Sequence, residues 1–204
     1  FWSSDLTLFN GTGSARGVGS GDGGVIDVSS AGYVGFAGEI DLSAPGGRQG
    51  SLLFDPITIT IGGAGAGDDP IATDGLIEFP DVGPVGGADV EISTAALEGV
   101  AGDILLEATD SISLLSTLTL PTQSITLESA NLYISAGLTT GSGSASFIAT
   151  TQTDVTGALN IGGDFSATGG GAFSFTGSAF NVTGTTMIDG GAVSIYSTTT
   201  SFGG

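Results

Sequence analysis

The stretch "GGVIDVSSAGYVGFAGEIDLSAPGGRQGSLLFDP" (residues 23–56) decides the fold class. Within it, "VIDVSS" and "EIDLSA" alternate apolar with small or polar residues. That period of two sends successive side chains to opposite faces of a strand. Glycine and serine follow each run and supply the turns. No part of the stretch has the spacing of a helix. The same pattern extends outward on the C-terminal side through "ITITIG", "DVEIS", "DILLEA", "ITLES", "LYISA", "FSFTG" and "VSIYS". Only "TAALEG" (residues 94–99) has helical composition, and it is about one turn and a half long.

Composition narrows the partners. The 204 residues include 21 acidic side chains against 2 lysines and arginines, a formal net charge of −19. Such a surface repels phosphate backbones and anionic bilayers, so neither nucleic-acid binding nor membrane insertion is expected. An apolar share of 40% allows a packed core despite 38 glycines. With no cysteine and no histidine, disulfides, thiolate or imidazole metal sites and a histidine-based catalytic triad are all excluded. No apolar run approaches the roughly 18 residues of a transmembrane helix. Phe1 is followed by no leader-like segment, so a processed product or a piece of a longer protein is expected.

The C-terminal half carries a repeat. "GDILLEA" (102–108), "SITLESA" (124–130), "SASFIAT" (144–150), "GDFSATG" (163–169) and "GAVSIYS" (191–197) recur at a period of about 20 residues, with drift. Three short strands and their turns fill one such period, which predicts an all-β parallel β-helix (a β-solenoid) with ~20-residue, three-strand rungs. The inward residues expected to carry its core include Val28, Ile40, Leu42, Ile104, Leu106, Ile125, Leu127, Ile134 and Phe165.

Residues 1–61 then carry a more specific pattern. They contain Trp2-Ser3-Ser4-Asp5, Phe9, Ala15-Arg16-Gly17, Gly21-Asp22-Gly23-Gly24, Ile26-Asp27-Val28-Ser29-Ser30, Gly38 to Ala44, and Leu52-Leu53-Phe54-Asp55-Pro56 before an "ITI" strand. This order resembles a module of the filamentous-haemagglutinin-like exoproteins, large secreted adhesins of the two-partner secretion type. The resemblance covers 1–61, extends in weaker form over 88–130, and departs at Val18 and in the acidic segment after residue 61. It implies a β-helical fold, export, and a surface role in adhesion, and it defines no receptor-binding residue. Three segments are expected: a haemagglutinin-like module (1–61), an acidic Gly/Pro-rich excursion (62–87), and regular β-helix rungs (88–204).

Few residues invite chemistry. Asp55 and Pro56 read as a structural turn in which the carboxylate accepts backbone N–H bonds and proline ends the ladder. Asp68, Asp69 and Asp74 offer oxygen ligands suited to Ca²⁺, but their spacing matches no calcium loop. A solvated acidic loop is the favoured reading, and no cofactor is expected. Asn10-Gly11-Thr12 and Asn181-Val182-Thr183 fit the N-glycosylation pattern, which a Thr-rich chain also produces by chance. The Thr58/Thr60 and Thr117/Thr119 pairs are not expected to recur at rung spacing, which argues against an ice-binding face. No pair of carboxylates stands out as a glycan-hydrolysing couple.

The expected function is therefore non-catalytic: an extracellular β-solenoid segment of a bacterial secreted or surface adhesin, a stiff rod whose partners are cell surfaces or glycans. One alternative is a self-assembling filament subunit stacking end to end. The other is a glycan-degrading enzyme on the same fold.

Overall fold

The computed structural model describes residues 1–4, 6–30, 33–36, 39–54, 56–62 and 89–203. Asp5, Gly38, Asp55 and the acidic residues Asp68, Asp69 and Asp74 lie outside the described residues, as does nearly all of the expected excursion. The described chain is all-β apart from one short helix, Thr94–Glu98, and every recorded strand pairing is parallel. No described helix is long and apolar enough to cross a membrane.

Most strands belong to a single 14-stranded sheet, accompanied by a five-stranded sheet and two two-stranded ones. The large sheet contains two columns. In the first, Val25–Asp27, Ser51–Phe54, Asp103–Glu107 and the first halves of Ile125–Ile134 and Ala145–Val155 lie side by side, followed by Phe165–Thr168 and Thr186–Ile188. Ile104 lies opposite Ile125, Ile125 opposite Ala145, Ala145 opposite Phe165, and Phe165 opposite Thr186. From Asp103–Glu107 onward neighbours are thus 20 or 21 residues apart in sequence, the period of the sequence repeat. The five-stranded sheet runs with similar offsets, through Leu118–Leu120, Leu138–Thr140, Leu159–Ile161, Ala179–Val182 and Thr199–Phe202.

Alternation explains the burial. In Asp103–Glu107, Ile104 and Leu106 are buried while their neighbours are partly exposed. All nine expected core residues are buried. Parallel in-register pairing stacks like on like, as in Leu106 between Phe54 and Leu127. In two places a phenylalanine faces an alanine: Ala145 opposite Phe165, and Phe147 opposite Ala167. The two rings then meet edge to face at 5.2 Å, a favoured geometry for aromatic pairs.

Two devices turn the corners between columns. Ile125–Ile134 and Ala145–Val155 run through the corner as continuous strands, with a register shift between Ser129 and Asn131. There Ser129 Oγ donates to Asn131 O at 2.7 Å. In the next layer Gly169 and Gly170 make the corner at φ of 98° and 86°, a conformation that strongly favours glycine.

One strand is out of order. Asp89–Ile92 lies between Tyr33–Phe36 and Thr58–Ile61, so the chain returns after residue 88 to a place beneath the strand it has just left. The strands on either side of residues 63–88 therefore share one sheet.

Candidate functional site

The glycine-rich motif of the first segment forms one wall of an open groove of about 520 Å³. Its lining comes from two chain segments about 26 residues apart: Asp22 to Val25 and Arg48 to Ser51, with Asp103 from a third. The two segments lie close because glycine lets them. A Cβ on Gly23 would stand 2.3 Å from Leu42 O and 2.4 Å from Gly50 N, far inside van der Waals contact. Ser51 N donates to Gly24 O and Gly23 N to Arg48 O, which sets the register of the two loops.

Asp22 is held from one side. It accepts from Arg48 N at 2.8 Å through Oδ1, and from Arg48 Nε and an η-nitrogen at 3.2 and 3.0 Å through Oδ2. The backbone hydrogen bond from Arg48, then its guanidinium, hold the Asp22 carboxyl below its ordinary value. Asp103 is held as well, since its Oδ1 accepts from Ser124 N at 2.8 Å. Val25 stands well exposed beside them. The groove thus presents fixed carboxylate oxygens, an arginine already paired and one apolar contact. These groups can make hydrogen bonds to a molecule placed in the groove.

The other expected residues are dispersed. Leu52 and Phe54 are buried in the core, Leu53 faces outward, and Pro56 is buried with its carbonyl accepting from Thr109 N. Ser29 Oγ donates to Asp27 Oδ1, and Asp41 pairs with Arg16 at 3.4 Å. The hydrogen bonds from Ser43 to Asp41, more than that arginine, hold its carboxyl low. Asn10 is exposed in the bend after Leu6–Phe9. Asn181 lies within a strand, its Nδ2 donating to Asn160 Oδ1 at 2.9 Å. Among the described residues, no three histidine, cysteine, aspartate or glutamate side chains gather around one possible metal position.

Neither Thr-x-Thr pair recurs at the strand offset, but among the described pairings a single threonine does. Thr119 lies opposite Thr139, and the column continues as Asn160, Asn181 and Ser201. The signal was present as the 20-residue spacing of Thr119 and Thr139, and is visible only once the register is known. A second polar column was also missed. Ser124 N donates to Asp103, Ser144 N to Ser124 Oγ, Asp164 N to Ser144 Oγ, and Thr185 N to Asp164 Oδ1. Each side chain caps the backbone of the next layer. No family model, curated protein or solved structure matches the chain.

Proposed function

We propose that the chain is a non-catalytic, extracellular β-solenoid segment of a bacterial secreted or surface adhesin, in which three-strand rungs of about 20 residues stack into a stiff rod. One observation carries this reading: from Asp103 onward, a parallel ladder whose neighbours are 20 or 21 residues apart, in two sheets at once. Parallel strands at that constant offset are what a coiled chain of three-strand turns produces. A rod resists bending because each layer is hydrogen-bonded to the next along its length. Such a scaffold serves to hold a contact surface away from a cell. The module resemblance over residues 1–61 supplies the adhesin part of the reading, with host or neighbour cells, or their glycans, as partners.

The test is display of the chain on a non-adherent bacterium, with adhesion to a panel of epithelial cells counted against an empty display scaffold. Adhesion above the control, together with an elongated particle by small-angle scattering, is the expected result. A compact particle, or adhesion equal to the control on every cell type, overturns the reading. Turnover of polysaccharides that falls on Asp27→Asn or Asp41→Asn would instead establish the enzyme alternative.

A second reading, axial stacking into filaments, draws on a different observation. Among the described residues, Thr186–Ile188, Val193–Ile195 and Thr199–Phe202 are each paired on one side only. Ile188, Ile195 and Phe202 line an apolar concavity there with Thr186, whose buried Oγ1 has no hydrogen-bond partner. Unpaired strand edges recruit further strands. Electron microscopy over a range of concentrations tests this: long uniform filaments support stacking, and short particles throughout exclude it.

A further inference from the structure

The strand Asp89–Ile92 fills a slot whose two walls both come from earlier in the chain. Val90 lies opposite Val34 on one side and Ile59 on the other, and Ile92 lies opposite Ile61. Both Val90 and Ile92 are fully buried, and Gly62 N donates to Ile92 O at 2.8 Å. The residues that follow stay on the same ground. Ser93 caps the helix Thr94–Glu98 by accepting from Ala96 N, and Leu97 and Val100 are buried. Ala101 N donates to Ile40 O, and Ala101 O accepts from Leu42 N. Asp103–Glu107 then pairs with Ser51–Phe54, and Ser111–Leu114 with Thr58–Ile61.

Residues 89–114 are thus fastened to residues 33–61 at several places, none of which uses residues 63–88. Asp89–Ile92 differs from the other contacts because both its edges are paired with that earlier segment. Withdrawing it would open a gap of about two strand spacings, near 10 Å. Two rows of backbone groups would be left without partners, and a buried polar group without a partner is costly.

We propose that Asp89–Ile92 is an intramolecular strand lock, and that a chain cut anywhere between Gly62 and Asp89 remains one body. Proteolytic processing in the acidic segment then yields a two-chain protein rather than two separate fragments.

The experiment inserts a site-specific protease sequence between Asp74 and Gly75 of the full chain, cleaves it, and runs gel filtration under native conditions. Co-elution of the two fragments in equal amounts is expected, and their separation overturns the proposal. Ile92→Asp should release the fragments after cleavage. If that variant loses its circular dichroism before cleavage, the milder Val90→Thr with Ile92→Thr decides. Its cleaved form should come apart at a lower urea concentration than the cleaved parent. Val155→Thr, in a strand paired with Ile125–Ile134, Phe165–Thr168 and Ala172–Phe175 and with none of residues 33–61, should leave that concentration unchanged. Equal urea thresholds for the lock variant and the parent would show that the other pairings hold the halves, and would overturn the lock.

Discussion

Leu106 shows how much one side chain carries in this architecture. It is fully buried between Phe54 and Leu127 in adjacent layers. Truncating it leaves a cavity that strands hydrogen-bonded on both sides cannot close, so Leu106→Ala should cost about 2–5 kcal/mol. Leu106→Asp should be worse, because a charge would be buried with no partner. Urea denaturation followed by circular dichroism measures both, and an unchanged midpoint for the aspartate variant would contradict the stacked core. Asp22 offers the opposite case, a surface carboxylate fixed by Arg48. Its folded pKa lies below the ordinary 3.8. Its contribution is therefore complete above that ordinary value and disappears as pH falls through the lower, folded one. Asp22→Asn should lower the melting temperature slightly near neutral pH, since exposed pairs contribute little. In strong acid, where the parent carboxyl is neutral too, the difference should vanish.

At the scale of elements, the turns are as constrained as the strands. Gly157 stands where a Cβ would lie 1.8 Å from the Ala136 carbonyl oxygen in the layer below. Since the obstacle is backbone that is itself paired, no side-chain adjustment relieves it. Gly157→Ala should destabilise by more than about 1 kcal/mol, the scale at which an incompatible backbone site outweighs the gain in unfolded-state entropy. Gly170, exposed and with nothing within 4 Å of its Cβ position, nevertheless has a φ of 86°, so its cost comes from conformation alone. Thermal melts of the two alanine variants compare a steric with a conformational penalty. Alternation made the strands legible in the sequence, and the 20-residue period made their offsets legible. The helix at residues 94–98 was legible as well, from a composition unlike its surroundings. The place of Asp89–Ile92 was not. Its own alternation says only that it is a strand, whereas its location depends on two distant edges left one layer apart. The groove was hidden for the same reason. Gly21-Asp22-Gly23-Gly24 reads as a turn, and nothing in it names Arg48 as the partner across the layer.

For the molecule as a whole, charge works against compactness. Twenty-one carboxylates face two arginines, a formal net charge of −19, and both arginines already sit in ion pairs, with Asp41 and Asp22. Little positive charge is left to offset the remaining acids, and bringing them together in the folded chain raises their mutual repulsion. A protein stabilised mainly by surface ion pairs weakens as salt is added. This one should strengthen, because the Debye length shrinks from about 30 Å at 0.01 M to 3 Å at 1 M and shortens the reach of the repulsion. The melting temperature near neutral pH should therefore rise steadily with sodium chloride over that range, and a fall would show that attractive pairs dominate. The same melts separate screening from specific binding. Calcium chloride at matched ionic strength should add little beyond the sodium effect if the acids form a solvated surface. A large excess shift with calcium, removed by Asp68→Asn with Asp69→Asn, would instead locate a cation site in the acidic segment and would add a metal-held element to a fold otherwise secured by its ladders.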